Sequence, residues 1–473
     1  MNKDYIELMT IQRSFLAKTE ELLLKVVGKH YKQFSTSHEL IEYIQKQSTN
    51  NKFSKQFNKN IPLIYSELHE FYGSYAAKWF GLAKNLGGLK LVFGGISRFS
   101  EAFLQNVKND LLFSDTIYLA DPVLPWIEIA RKEEHFRVVH LLKNMYFVLR
   151  LKEIIDADLP YPAVIIFPSF EKTLEENDKE TRENIHRLLT SFFSFYLGET
   201  FGSSEETLYY ARMKSDVFLE KVETNKLFWA PQAKEITSIR DGLSQYKEFI
   251  QNNRSKEEKY IADTISPAEL VWQGIFERIV PHFHVWENST EFGANPTFSN
   301  AAHWHYHNLL SNANNKIMNV SQETLILTQS INSFRMSWFN NITEEDLILL
   351  RKNNENEKFR KDLLKQIETL DDLSKENIDK VTNEVSRVIS GLLSNYNQEI
   401  EDIKDKYQLK YKQLLSASIV SSVAHLLPIL QPYTGLIPPV ATAIKYANDK
   451  LEEISLIKKQ NKSLMGIFFR AMG

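Results

Sequence analysis

The sequence predicts a mainly α-helical protein with a small parallel β-sheet in its N-terminal half, a long helical stem and a C-terminal helical hairpin. Three observations carry that reading. Apolar residues recur at helical spacing over most of the chain, three short apolar runs are bracketed by Gly or Pro, and 32 residues near the end contain no charge. Boundaries fall at 1–86 for a helical region, 87–170 for a small α/β element and 171–340 for a helical domain rich in histidine. The stem occupies 341–412, and an apolar hairpin with a basic tail occupies 413–473.

Residues 4–34 place Tyr5, Leu8, Met9, Phe15, Leu16, Leu22, Leu23 and Val26 on one helical face. The uncharged Gln12 and Thr19 fill gaps in the same stripe. A shorter helix follows Ser37. Ser48 to Asn60 is polar and basic and reads as a loop. Ile61 to Leu86 returns to helical spacing, with Tyr65, Leu68, Phe71, Tyr72, Tyr75, Trp79 and Phe80 as an aromatic stripe of core type.

LKLVF at Leu89–Phe93, TIYLA at Thr116–Ala120 and AVIIF at Ala163–Phe167 read as buried strands. Helical patterns between them, at Arg98–Val107 and Trp126–Ile155, imply crossover connections and parallel pairing. Asp115 and Asp121 then lie at strand ends, where binding groups collect. Asp121 before Pro122 also suits a plain chain turn. The paired glycines at 87–88 and 94–95 lack the spacing of a phosphate-binding loop.

From Leu174 to Phe276 the pattern is helical. Thr343 and Asp346 open the stem at capping-box spacing. Within it, Ile378, Val381, Val385, Val388, Leu392, Tyr396, Ile400, Ile403 and Tyr407 form a coiled-coil-like seam. The charge-free run, Gln413 to Ile444, follows directly. Pro428, Pro432, Gly435, Pro438 and Pro439 cut it into two apolar legs. The first leg spans only about 25 Å as a helix, against about 30 Å for a hydrocarbon core. Two readings therefore stay open, a buried core hairpin or one that inserts into or lies on a membrane. Leu414, Ile419, Val423, Leu427 and Leu436 are the candidate contacts with a membrane or partner. Beyond Glu453 the tail carries only basic charge, and Phe468 and Phe469 extend the apolar surface.

Composition narrows the classes. Hydrophobic residues at 43% and aromatics at 12% exclude a disordered chain. A net charge of −3 gives no global field for nucleic acid. The absence of cysteine removes disulfides, thiolate metal sites and a cysteine nucleophile. Acidic residues among the first apolar ones mark a helix and not a signal peptide, which points to a cytoplasmic protein, peripheral to the inner membrane if the hairpin meets lipid.

Five of the twelve histidines fall between His282 and His307. PHFHVW holds His282 and His284, while HWHYH holds His303, His305 and His307. Imidazole is a transition-metal ligand, so His282, His284, His303 and His307 are the candidate metal set, with Glu287 or Glu291 as a fourth ligand or base. On a helix, only His303 and His307 of the second string share a face. Ser299 and Asn300 suit its cap. The alternative is a half-buried aromatic surface with Trp286, Trp304 and Tyr306. No metalloenzyme string and no cofactor motif is present.

Ser333 to Ile367 carries an apolar stretch ending at Phe339, the capped helix from Thr343, Leu350 with Arg351, then Phe359, Arg360 and Leu363. This segment resembles uncharacterised bacterial proteins, some encoded among phage-defence or mobile-element genes. The resemblance implies context alone, with no activity or site residue. The resulting expectation is a non-enzymatic helical interaction or effector protein of an intracellular defence or stress system, acting on a protein partner, on its own copies or at a membrane. The competing expectation is a metal-dependent hydrolase or nuclease built on the histidines.

Overall fold

The structure, a computed structural model, describes residues 3–94, 101–128, 134–314 apart from 170, 172–173, 176–177, 232, 234, 255 and 299–300, then 341–367 and a few single positions beyond. The chain divides into two compact units, Met1–Asn332 and Ser333–Gly473.

In the first unit, helices α1 (Lys3–Val27), α2 (Ser37–Gln47) and α3 (Asn51–Ala83) precede strand β1 (Lys90–Gly94). Of the expected aromatic stripe, Leu68, Phe71, Tyr72 and Trp79 are core, with Phe15 of α1 seated among the last three, whereas Tyr65 and Phe80 are half-buried and Tyr75 is exposed. The loop expected at Ser48–Asn60 is corrected: α3 starts at Asn51. The Asn50 side chain accepts the N–H groups of Lys52 and Phe53, and Phe53 meets Tyr43 edge-on. Gln56 and Asn60 donate to the carbonyl of Lys25, the otherwise unpaired end of α1. Phe53 and Phe57 continue the spacing of Ile61, Ile64 and Leu68, a signal that the polar residues around them mask.

The sheet has four parallel strands in the order β3-β2-β1-β4. β2 (Thr116–Ala120) and β3 (Val164–Phe167) match the expected runs within a residue. Helix α4 (Glu101–Asp110) makes the first crossover, and α5 (Leu124–Glu128), α6 (Glu134–Arg150) and α7 (Lys152–Asp156) make the second. Leu91 pairs in register with Ile117 and with Asn295, and Ile117 pairs with Val164.

The fourth strand, β4 (Asn295–Phe298), was not legible in the sequence. It is four residues long and contains Pro296, which an edge strand tolerates because one side of it needs no ladder donor. The sheet is thus completed from outside 87–170. At the opposite edge, buried Gln12 of α1 acts as a substitute strand. Its amide donates to the Val164 carbonyl at 2.8 Å and accepts from the Ile166 N–H at 2.9 Å. That blunts an edge that would otherwise expose free backbone groups.

After β3 come α8 (Lys179–Leu197), α9 (Ser204–Met213), α10 (Ser215–Thr224), α11 (Ile239–Asn253) and α12 (Lys256–Thr264), followed by α13 (Pro267–Phe292) and, past β4, α14 (Ala301–Ala313). α13 opens with a complete capping box, Ser266 with Glu269, and closes on Gly293 in the left-handed conformation. Its first half packs in a helical core with Phe192, Phe193, Phe228 and Tyr246. Its second half reaches the sheet, where Phe292 stacks on Tyr118 at 4.4 Å. The helix continues past Phe276 and through Pro281, beyond the sequence expectation.

The described part of the second unit contains α15 (Glu344–Lys352) and α16 (Glu355–Ile367). Thr343 caps α15 as expected, accepting the Asp346 N–H. The stem is interrupted between them, where Asn354 takes a positive φ of 56°. Asparagine tolerates that conformation better than most residues, so the breaker lay in the NN pair. The coiled-coil seam past Ile367 and the charge-free run, with Leu414, Ile419, Val423, Leu427 and Leu436, lie outside the described residues, as do Phe468 and Phe469. Ile467 is buried. Among the described residues, no helix is long and apolar enough to cross a membrane.

Candidate functional site

Ligands of open parallel sheets bind outside the carboxyl ends of the strands, where the strand order reverses direction. In this sheet that point lies between β1 and β4, because the chain steps outward from β1 to β3 and returns to the other side of β1. Gly94 ends β1 there, and α13 crosses so closely that a Cβ at Gly94 would overlap Val285. Glycine is required for this approach.

Phe298 ends β4 at the same edge, and three of the four candidate histidines gather around it. Its ring lies 4.8 Å from His282, 6.3 Å from His303 and 5.1 Å from His307, centre to centre. His282 stands 5.5 Å from His303 and 6.3 Å from His307. HWHYH is helical, so His303 and His307 share a face of α14. His305 points elsewhere and binds the Lys226 carbonyl at 2.8 Å. Trp286 and Trp304 wall the cluster off.

All three clustered histidines are buried, and neither ring nitrogen of His282 has a hydrogen-bond partner among the described residues. Burial, reinforced by the neighbouring imidazoles and the Arg278 guanidinium, drives the His282 pKa well below its ordinary value. His303 is pushed down to about 3 by burial and then by Arg278. Both are neutral imidazoles across the physiological range.

His284 does not join them. It lies on another side of α13, where Nε2 meets Glu175 at 3.0 Å and Nδ1 meets Glu287 at 3.3 Å. Burial lowers its pKa, but the hydrogen bonds to Glu175 and Glu287 and the fields of Glu171 and Glu175 outweigh it and lift the group to about 9. One helical turn on, Asn288 donates to Glu171 at 3.1 Å. The segment following β3 is thereby clamped to α13. Sequence reading missed Glu171 and Glu175; their four-residue spacing just after a strand was the available signal.

Glu287, held by His284, and Glu291, paired with Lys84, were the suggested fourth ligand or base, and both are engaged elsewhere. Among the described residues, no three His, Asp or Glu side chains stand as a metal-holding group. The strand-end aspartates serve the fold. Asp115 accepts the Leu89 N–H at 2.7 Å, beside Gly88 with φ +83°, where any Cβ would meet the same carboxylate. Asp121 accepts from Tyr72 Oη at 2.7 Å and from the Val123 N–H at 2.8 Å, which turns the chain. Buried Asp110 accepts from Thr297 Oγ1 of β4 at 2.8 Å.

The class that fold and site define is a mainly helical protein around a four-stranded parallel sheet, with a dry histidine cluster at the sheet's switch point. No protein-family model, curated protein or solved structure matches the chain.

Proposed function

We propose that this chain is a non-enzymatic interaction or effector protein of an intracellular bacterial defence or stress system, and that its C-terminal unit delivers the effect. The supporting observation is the division of the chain after Asn332, which assigns the whole charge-free run Gln413–Ile444 to a unit separate from the α/β unit. In this reading the apolar run contacts a protein partner, a second copy or an anionic lipid surface, and the basic tail favours the last. In the first unit, the strand-end carboxylates of Asp115 and Asp121 are engaged in backbone and side-chain hydrogen bonds, as a scaffold uses them.

The hydrolase reading has weaker support, since His284 is held by Glu175 and Glu287 and the four histidines do not converge. The test is expression in cells of the full chain and of a version lacking residues 413–473, followed by fractionation and growth measurement. Membrane association or toxicity present in the first and lost in the second supports the proposal. Identical fractionation and growth of the two would overturn it.

A further inference from the structure

We propose that the start of α3, with the ends of α1 and α2 beside it, binds the phosphodiester backbone of a nucleic acid through a cluster of lysines. The proposal is independent of the one for the C-terminal unit.

From Tyr43 to Ser66 the chain holds four lysines and no acidic residue. Lys52, Lys55 and Lys59 of α3 are spaced three and four apart and all are exposed, so they form one stripe. The other side of the same turns is packed, with Phe53 and Phe57 half-buried against each other and Ile61 and Ile64 in the core. Gln56 and Asn60 donate to the Lys25 carbonyl, which fixes the stripe against α1. Lys46 lies in the last turn of α2, shortly before the Asn50 cap of α3. Lys29, just past α1, holds its ammonium 4.4 Å from the centre of the Tyr43 ring, and that ring meets Phe53.

The second observation is the lack of counter-ions. In the same part of the fold, Lys18, Lys25, Lys32, Lys78 and Lys152 each meet a carboxylate. Lys29, Lys46, Lys52, Lys55 and Lys59 form no ion pair among the described residues. Glu42, on the helix that carries Lys46, faces His38 at 3.1 Å. The three α3 lysines span about 10 Å at 1.5 Å per residue, within about one Debye length at 0.1 M salt. They therefore act as one local field, although the whole chain carries −3.

The composition of the patch selects the partner. Gln45 to Asn60 surrounds the lysines with Asn, Gln, Ser and Thr, side chains that bond phosphate and sugar oxygens, and contains no aliphatic residue. A helix that lies on lipid inserts exposed apolar side chains, whereas both phenylalanines here are packed. Lysine without an arginine fork suits contact with the backbone and not with base edges.

The test uses the full chain with short fluorescein-labelled duplexes of DNA and of RNA, read by anisotropy. The expected dissociation constant is on the order of 10 µM at 50 mM salt, and for DNA it weakens about 40-fold at 200 mM, the loss that three phosphate contacts produce. The variant K52Q/K55Q/K59Q should bind at least about ten-fold more weakly and lose most of the salt dependence. K179Q/K247Q/K256Q, which removes the same charge from exposed positions on α8, α11 and α12, should bind as the unaltered chain does. Melting temperatures establish that both variants fold. Should the first not fold, the single variants K55Q and K59Q take its place, each lowering the salt slope by about 1. No binding to either duplex at about 100 µM protein and 50 mM salt would overturn the proposal. So would undiminished binding by the folded triple variant. Binding to phosphatidylcholine vesicles containing phosphatidylserine through the same three lysines, with neither duplex bound, would also overturn it and assign the surface to lipid.

Discussion

His282 and His284 lie two residues apart on one helix, equally buried, and take opposite charge states. His282 faces Phe298 and two other imidazoles and is neutral, whereas His284 faces Glu175 and Glu287 and is protonated up to about pH 9. Burial pushes both pKa values down. Only the carboxylates within hydrogen-bond distance reverse the sign, so the partner and not the depth decides what a buried histidine is.

The strongest way to break this comparison is to remove the charge from the caged histidine. His284→Leu keeps the apolar bulk and leaves Glu175 and Glu287 facing each other without a counter-ion. Expected is a loss of about 2–4 kcal/mol in chemical denaturation, moderated because both carboxylates retain some solvent. A loss below about 0.5 kcal/mol would mean that water already screens the pair and that the clamp contributes little.

The comparison sharpens with pH. The His284 pKa is raised in the folded state, so its contribution is complete below the ordinary histidine value of about 6.5 and is lost as pH rises through about 9. The His303 pKa is depressed to about 3, so its contribution is complete above about 6.5 and is lost as pH falls toward 3. Urea midpoints should therefore decline on both sides of neutrality. His284→Gln, which cannot be protonated, should flatten the alkaline limb by about 2 kcal/mol and leave the acid limb in place. An unchanged alkaline limb would show that His284 is not the group responsible.

A smaller effect tests the approach that sets the two histidines apart. Gly94→Ala places a methyl group where Val285 stands, and should cost about 1.5 kcal/mol through displacement of α13. The double variant Gly94→Ala with Val285→Ala should recover much of that loss in a double-mutant cycle. Additive losses would place the strain elsewhere.

Three of the four strands were legible because each is a short apolar run bracketed by Gly or Pro. β4 was not, because Asn295-Pro296-Thr297-Phe298 has neither apolar length nor β-rich composition and is held by pairing with β1. The start of α3 was legible in the spacing of Phe53, Phe57 and Ile61 but was outweighed by polar neighbours. The gathering of His303 and His307 followed from helical spacing, as did the separation of His284 from His282 two residues before it, but the charge of His284 depended on Glu175, more than a hundred positions away.

By itself the sequence determined the helical class, the parallel strands, the capped start of α15 and the crowding of histidine in one region, because each is written in local periodicity or capping chemistry. The tertiary structure alone decided which edge strand completes the sheet, why Gln12 is buried in an apolar stripe and which histidines are charged. Those outcomes depend on what stands across from a residue in space: the backbone of β3 for Gln12, an aromatic wall for His282, and two glutamates for His284.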